Sequence, residues 1–205
     1  NWAPALTDAE ADILFGTGPG QLGLSILRIG MASDGGPYNG PDCWSDINKA
    51  YTRGVRTFIG TLWSPPGYMK INADGSPHAN ANNNNGIWDG GHLDPAFYDE
   101  WSDTIAAFPD QVAANTDATL YAMSVQNETD FASCGLAEPC NGNYDTTVFT
   151  GGEYAAFIKV VGPKLKAKGV KVMSPEASEW IHTWSDESAC CSENSNKPSS
   201  DPLGC

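Results

Sequence analysis

The sequence has 205 residues, of which 40% are apolar, so it is long enough to form one domain with a sizeable core. It carries 11 basic and 25 acidic residues, which gives a formal net charge of −14. Nucleic acids and anionic membranes bind positively charged surfaces, so this balance argues against both as partners. No apolar stretch approaches the roughly 20 residues that a helix needs to cross a bilayer.

The cysteines indicate an oxidising compartment, and therefore a secreted protein. Cys134 and Cys140 bracket a short loop and are expected to form a local disulfide. The sequence has no C-x-x-C pair and no histidine at zinc-site spacing, so a structural metal is not expected. The start of the chain lacks a charged segment followed by an apolar one, so we expect a mature or truncated chain. The remaining cysteines are Cys43, Cys190, Cys191 and Cys205.

Signals for helices and strands alternate along the chain. A capping-box pattern at 7–10 opens the first helix, and Gly54 ends the second helix after Arg53 in its last turn. Between them, a compact apolar run around Arg28 is typical of a buried strand. In chain order, the predicted elements are a helix at 7–15, a strand at 25–31, a helix at 43–53, a strand at 55–63, a helix from Asp94, a strand at 118–126, a helix closed by Gly169 and a strand at 170–174.

The third and fourth helices are predicted from their starts and their apolar stripes. Asp94 followed by Pro95 is the combination of a cap and a proline that begins helices. Apolar residues then recur three or four positions apart, as on the buried side of a helix. In the third helix they are Phe97, Trp101, Ile105 and Phe108, and in the fourth they are Tyr154, Phe157, Ile158, Val161 and Leu165.

This alternation implies a parallel sheet of the α/β class, with helices as crossovers. Two architectures fit: an open doubly wound sheet of the flavodoxin type, or part of a (β/α)8 TIM barrel. The glycines at 16–20 precede a strand instead of opening a helix, which argues against a nucleotide site. Polar residues at the carboxyl ends of the strands favour the barrel, because barrel enzymes build their sites there. We expect an incomplete barrel of about four βα units, with residues 1–205 as one partial domain.

The strand ends carry residues that suit sugar chemistry. Arg28 lies in the first strand, Trp63 ends the second, Asn127 and Glu128 follow the third, and Glu176 follows the fourth. A carboxyl group at a barrel rim can protonate the leaving oxygen of a glycoside, an adjacent amide can bind a sugar hydroxyl, and aromatic rings stack on pyranoses. Spacing alone leaves open a solvated or salt-bridged glutamate.

Four segments resemble glycoside hydrolase family 30, and they occur in the family's order. Segment 120–130, which contains Ser124-Val125-Gln126-Asn127-Glu128, resembles the acid/base strand and its S-x-Q-N-E-P pattern. Segments 21–29, 62–70 and 172–176 resemble the family's second, third and fifth barrel strands. The resemblance spans roughly residues 10–180 and implies a retaining glycoside hydrolase with a (β/α)8 barrel and no cofactor or metal.

The resemblance also assigns roles to residues. It makes Glu128 the general acid that later acts as base, and Asn127 the partner of the sugar 2-hydroxyl group. Arg28 matches an arginine near the nucleophile, where it would favour the ionised form; a structural ion pair is the alternative. Trp63 would line the cleft, with core packing as its alternative. Further candidates are Tyr68 and Trp180 for substrate binding and Glu176 for a supporting hydrogen-bond network.

Two features depart from the family pattern. Thr129 replaces the usual proline and creates a glycosylation sequon at 127–129, which we expect to be unmodified because a glycan would block the site. The family's nucleophile is a second glutamate, at the end of the seventh strand, whereas the predicted strands correspond to the second through fifth. The chain is therefore expected to be inactive alone, as a fragment or one piece of a longer enzyme whose remaining barrel would be its partner. The other acids considered, none of which matches the nucleophile motif, are Asp34, Asp89, Asp130 and Glu176.

The leading functional hypothesis is an endo-acting β-glycanase that cleaves β-1,4-xylan, because the motifs look closest to those of the xylanase branches. Activity on β-1,6-glucan, β-1,6-galactan or glucosylceramide-like substrates stays open within the same family. A hypothesis of another class is a non-catalytic carbohydrate-binding protein. The presence of Asn127 and Glu128 together with Arg28 argues against it.

Overall fold

The computed structural model describes residues 5–78, 90–131 and 145–178. Helices and strands alternate as predicted, with 3-10 turns at Gly67–Met69 and Pro95–Phe97. In chain order the elements are α1 (Asp8–Phe15), β1 (Ile26–Met31), α2 (Pro41–Thr52), β2 (Thr57–Leu62), β3 (Lys70–Ile71), β4 (His92–Leu93), α3 (Tyr98–Asn115), β5 (Ala122–Ser124), α4 (Gly151–Ala167) and β6 (Lys171–Met173).

Side-chain caps and proline set the helix starts. Thr7 forms the predicted capping box with Glu10, and Thr150 forms a second box at the start of α4. In each box a threonine side chain and a glutamate side chain bind backbone N–H groups that the helix leaves unpaired. Helix α2 begins at Pro41, two residues before its predicted start, because proline is favoured at the first helical position.

The main sheet contains four parallel strands in the order β1-β2-β5-β6, which is also their order along the chain. Doubly wound sheets reverse their strand order at a switch point and do not place four successive parallel strands side by side in this way. A barrel adds each new parallel strand beside the previous one. The sheet is thus part of a barrel, and the flavodoxin-like alternative is wrong.

The two faces of the sheet differ in chemistry. Ile29, Phe58 and Met123 lie on one face and join a core formed with buried side chains of all four helices. The predicted stripe of α3 is part of this core, since Trp101, Ile105 and Phe108 are buried and Phe97 packs against them. The opposite face carries Arg28, Thr61 and Ser124, which the strand register places beside one another. None of the described helices is long and apolar enough to span a membrane.

Two details differ from the sequence prediction. The strand predicted at 118–126 contributes three residues to the ladder, Ala122–Ser124, although its flanks are still held by Tyr121 N–H donating to Phe58 O at 2.9 Å and Asn127 N–H donating to Leu62 O at 2.8 Å. Between β2 and α3, where no helix or strand was predicted, β3 and β4 form a short antiparallel ladder. Each has two residues, too few to show an alternating apolar pattern.

Candidate active site

An ion-pair network lies on the Arg28 face of the sheet. Arg28 Nη2 lies 2.8 Å from Glu176 Oε1, and Thr61 Oγ1 donates to Glu176 Oε2 at 3.0 Å. Ser124 Oγ also donates to Oε2. The partners come from β1, β2 and β5, and Glu176 itself follows β6, so four neighbouring strands of the sheet contribute to the network. Both oxygens of the Glu176 carboxylate are engaged.

Asn127 is tied to the same network through Arg28. Arg28 Nη2 donates to Asn127 Oδ1 at 2.5 Å. A guanidinium has donors only, so the amide atom that faces it must be the oxygen. Asn127 is 6% exposed, and its Nδ2 has no partner within the part of the chain that the structure describes. The amide therefore keeps a donor for a ligand.

Glu128 follows in an uncommon backbone conformation, with φ of 47°. Its N–H donates to Glu176 O at 2.7 Å, and its own carbonyl accepts from Phe131 N–H at 3.1 Å. The side chain is half-buried. Non-glycine residues in the left-handed region are frequent at functional sites, where the surrounding structure holds them in place.

Hydrogen bonds to two further segments hold the turn that carries Glu128. Asp130 accepts hydrogen bonds from Ser178 N–H at 2.7 Å and from Ser178 Oγ at 2.6 Å. Phe149 N–H donates to Thr129 O at 2.9 Å. Before the turn, Gln126 is fully buried and its Nε2 donates to Trp63 O at 2.6 Å. The segments before α4 and after β6 therefore both hold the Glu128 turn.

Trp63 lies beneath the network and is 5% exposed. Its ring centroid is 5.2 Å from the Arg28 guanidinium carbon, and Tyr38 contacts it edge-on at 5.6 Å. A Cβ at Gly30 would lie 3.2 Å from the indole ring, so a side chain there would crowd it. In this arrangement Trp63 packs mainly against protein, which agrees with its alternative role. Its place in a sugar cleft stays a prediction.

Tyr68 and Trp180 stand apart from the network. Tyr68 is 54% exposed, donates its hydroxyl to Glu100 Oε1 at 3.0 Å and contacts Phe97 edge-on. Its described contacts are thus with the start of α3. Trp180 lies outside the described residues, as do Asp89 and all the cysteines except Cys43. The predicted Cys134–Cys140 disulfide therefore stays a prediction.

Cys43 is a free, buried thiol. Burial raises its pKa to about 11, so it stays protonated and unreactive at neutral pH. Burial also raises the pKa of Tyr154 to about 12, and the negative charge of Glu176 adds to the rise.

Thr61 and Ser124 were not predicted from the sequence as partners of Glu176. The sequence signal for these partners was weak. Both are polar residues within apolar strand segments, and the neighbouring segments carry Arg28 and Glu176. Within the described ranges, no cluster of three or more His, Cys, Asp or Glu residues could hold a metal ion.

The sequence comparison finds a relative among the glucuronoxylanases. The chain is 28% identical over 190 residues to glucuronoxylanase XynC of Bacillus subtilis strain 168, which covers 90% of this chain and 37% of the relative. The chain thus spans well under half the length of that protein. No protein-family model matches the sequence.

Solved structures resemble the fold. The family 30 subfamily 8 xylanase Xyn30A of Clostridium acetobutylicum is 26% identical, with a TM-score of 0.65 over 99% of this chain and 46% of that one. The catalytic domain of a family 30 xylanase C from Talaromyces cellulolyticus is 20% identical, with a TM-score of 0.63 over 89% of this chain and 44% of that one. The endo-β1,6-glucanase BT3312 is 18% identical, with a TM-score of 0.61 over 80% of this chain and 37% of that one. In sequence and in fold, the chain is similar to xylanases of glycoside hydrolase family 30.

Proposed function

We propose that the protein is a secreted, endo-acting, retaining glycoside hydrolase that cleaves β-1,4-xylan, with Glu128 as acid/base. In the first step a carboxylate nucleophile bonds to the anomeric carbon, the glycosidic C–O bond breaks, and Glu128 gives its proton to the departing oxygen. In the second step water displaces the nucleophile at this carbon, and Glu128 takes a proton from the water. Two carboxyl groups suffice for this chemistry, so the proposal includes no metal or cofactor.

The observation that carries the proposal is the position of Asn127 and Glu128. Both follow β5 at the carboxyl end of a parallel sheet, beside Arg28, in a chain similar to family 30 xylanases. Barrel enzymes take their catalytic residues from this end of the strands. Asn127, with its free amide donor, suits the sugar 2-hydroxyl group, and the cleft would be lined by Trp63, Tyr68 and Trp180.

The nucleophile belongs to a part of the protein outside these 205 residues. Glu176 is a carboxylate near Glu128 but suits the task poorly, because Arg28, Thr61 and Ser124 occupy both of its oxygens. A nucleophile needs a free lone pair directed at the anomeric carbon. Arg28 Nε and Nη1 have no partner among the described residues, so they stay available to an anionic group brought by the rest of the barrel.

Xylan is the proposed substrate because the relatives in sequence are glucuronoxylanases. The likeness to the endo-β1,6-glucanase is a likeness of fold, so β-1,6-glucan serves as a comparison substrate. Carbohydrate binding without turnover is the outcome that would favour a binding protein.

Glu128→Gln in the full-length protein tests the proposal. We expect turnover of xylan to fall by about 10²- to 10⁴-fold, the contribution of a positioned acid/base. An aryl xyloside with a strongly activated leaving group needs no proton in the first step, so formation of its glycosyl-enzyme should be nearly unchanged. Added azide, which attacks without a base, should restore turnover and give the β-glycosyl azide.

Glu153→Gln is the matched control, because it makes the same change at another partly buried carboxylate. It should keep parental turnover on both substrates. Equal turnover of xylan by the Glu128→Gln variant and the parent would show that the acid/base lies elsewhere.

A further inference from the structure

Glu176 is linked to both proposed functional residues, through two different groups. Its side chain reaches Asn127 by way of Arg28, and its main-chain carbonyl accepts the Glu128 N–H. We propose that Glu176 is a positioning residue, whose carboxylate fixes the orientation of the Asn127 amide and whose carbonyl fixes the backbone of Glu128. This inference rests on the proposed function.

The orientation of the Glu176 carboxylate is fixed by partners other than Arg28. Thr61 and Ser124 both donate to Oε2, which leaves Oε1 facing Arg28 Nη2 at 2.8 Å. The hydroxyls come from neighbouring strands of one ladder, where Thr61 and Ser124 are register partners. Rotation of the carboxylate would break two hydrogen bonds to the hydroxyl groups of buried residues.

Arg28 transmits this orientation to Asn127. Its Nη2 lies between Glu176 Oε1 and Asn127 Oδ1, at 2.8 and 2.5 Å. Because guanidinium only donates, it holds the amide with its oxygen inward, and Nδ2 is left as the outward donor. If the Asn127 amide were flipped, its Nδ2 would face Arg28 Nη2, and two hydrogen-bond donors would then oppose each other. The expected consequence is that Asn127 donates to the oxygen of the sugar 2-hydroxyl group.

The carbonyl contact works independently of the side chain. Glu128 N–H donates to Glu176 O at 2.7 Å while Glu128 keeps φ at 47°. Two residues further along, Asp130 accepts from Ser178, so the two turns are joined at a second point. Side-chain variants of Glu176 therefore remove the restraint on Asn127 and leave the Glu128 contact in place.

Because the side-chain and main-chain contacts of Glu176 are separate, substitution of the side chain can distinguish a positioning role from a purely structural ion pair. Rates are measured with the full-length protein on an aryl β-xylobioside and on its counterpart without the 2-hydroxyl group next to the cleaved bond. Asn127→Ala should lower kcat/KM on the first substrate by about 10- to 100-fold, the range for one hydrogen bond that strengthens in the transition state. On the second substrate the loss should be small, because the hydroxyl group is absent.

Glu176→Ala should follow the same pattern. We expect the ratio of the two rates to fall to within about threefold of the Asn127→Ala ratio, and the double variant to show no further fall, since the residues act in series. Glu176→Gln keeps an oxygen for Arg28 and should restore part of the ratio. Glu153→Gln should leave the ratio at the parental value. Equal losses on both substrates in a folded Glu176→Ala protein would overturn the proposal.

A crystal structure of Glu176→Ala tests the inference without turnover. The Arg28 Nη2 to Asn127 Oδ1 distance should lengthen beyond hydrogen-bonding range. An unchanged contact would overturn the proposal even if the protein were active. A parent protein without turnover on either substrate would contradict the proposed function instead, and the crystallographic distance would still decide the role of Glu176.

Discussion

Glu128 has a positive φ of 47°, whereas the other positive φ values in the described ranges belong to glycine. A non-glycine residue in the left-handed region costs roughly 1–2 kcal/mol because Cβ crowds the backbone. The hydrogen bond from its N–H to Glu176 O and the Asp130–Ser178 contacts hold the turn in this form. Glu128, whose side chain has a proposed chemical role, therefore adopts a backbone conformation that glycine adopts more easily.

We therefore expect Glu128→Gly to be more stable than Glu128→Ala by about 1 kcal/mol, although both lack the acid/base. Both variants remove the same carboxylate, so the difference isolates the backbone conformation. Urea unfolding of the two proteins measures it. Equal free energies of unfolding would mean that the turn relaxes once the carboxylate is gone.

Residue-level prediction from sequence succeeded where a motif is local. Asn127 and Glu128 follow their strand as predicted, because strand and motif are contiguous in the chain. The places of Thr61 and Ser124 beside Glu176 depend on the register between strands more than 50 residues apart in sequence, which no local pattern contains. The burial of Trp63 depends likewise on Tyr38 and Arg28, which are distant in sequence.

At the scale of elements, the start of α4 is tied to the β3–β4 ladder. Glu153 Oε2 accepts from Thr150 N–H at 2.7 Å and lies 3.0 Å from His92 Nδ1 on β4. Partial burial acts to raise the pKa of Glu153, but the hydrogen bonds from His92 and Thr150 outweigh it and the pKa is lowered. This carboxylate is therefore favoured in its ionised form when the protein is folded.

The lowered pKa fixes the sign of a pH effect. A carboxylate whose folded pKa lies below its unfolded value stabilises the protein above the unfolded value, and this contribution disappears as the pH falls through the folded pKa. Glutamine can replace glutamate in a capping box, so Glu153→Gln removes mainly the charge. We expect the variant to lose about 1 kcal/mol near pH 6 and the gap to its parent to narrow by pH 3. Urea unfolding of both proteins at the two pH values measures this difference in the free energy of unfolding. A difference that widens on acidification would contradict the stabilising role of the ionised Glu153 carboxylate.

The helices were predictable from the sequence because their caps and stripes are local signals. The box at Thr7, the Asp94–Pro95 start and the stripe of α3 all occur as predicted. The β3–β4 ladder was not predictable, since two-residue strands are stabilised by tertiary contacts such as His92 with Glu153. Lys70 in β3 is charged yet 2% exposed, with Nζ donating to Ser64 Oγ and Thr146 O. Its charge gave no indication of a buried strand.

At the scale of the whole molecule, the face of the sheet that carries Arg28 indicates that the sheet is part of a barrel that further strands would complete. Ile26 in β1 is on this face and is 55% exposed, although β-branched residues at such strand positions are usually covered. A closed (β/α)8 barrel fills its interior with side chains of alternate strands. This chain covers 46% of the solved Clostridium acetobutylicum xylanase, so more than half of that protein has no counterpart among these 205 residues.

In the full-length protein we therefore expect Ile26 to be buried inside the barrel. Ile26→Lys should then lower the free energy of unfolding by about 2–4 kcal/mol, because an apolar contact is lost and a charge is desolvated. Ile13 is a matched control: it is 53% exposed and lies on α1 opposite the buried Ala11 and Phe15. Ile13→Lys should change stability by less than about 0.5 kcal/mol. Denaturant unfolding of both variants measures the contrast, and two equally small losses would mean that the rest of the protein does not close over the face that carries Arg28.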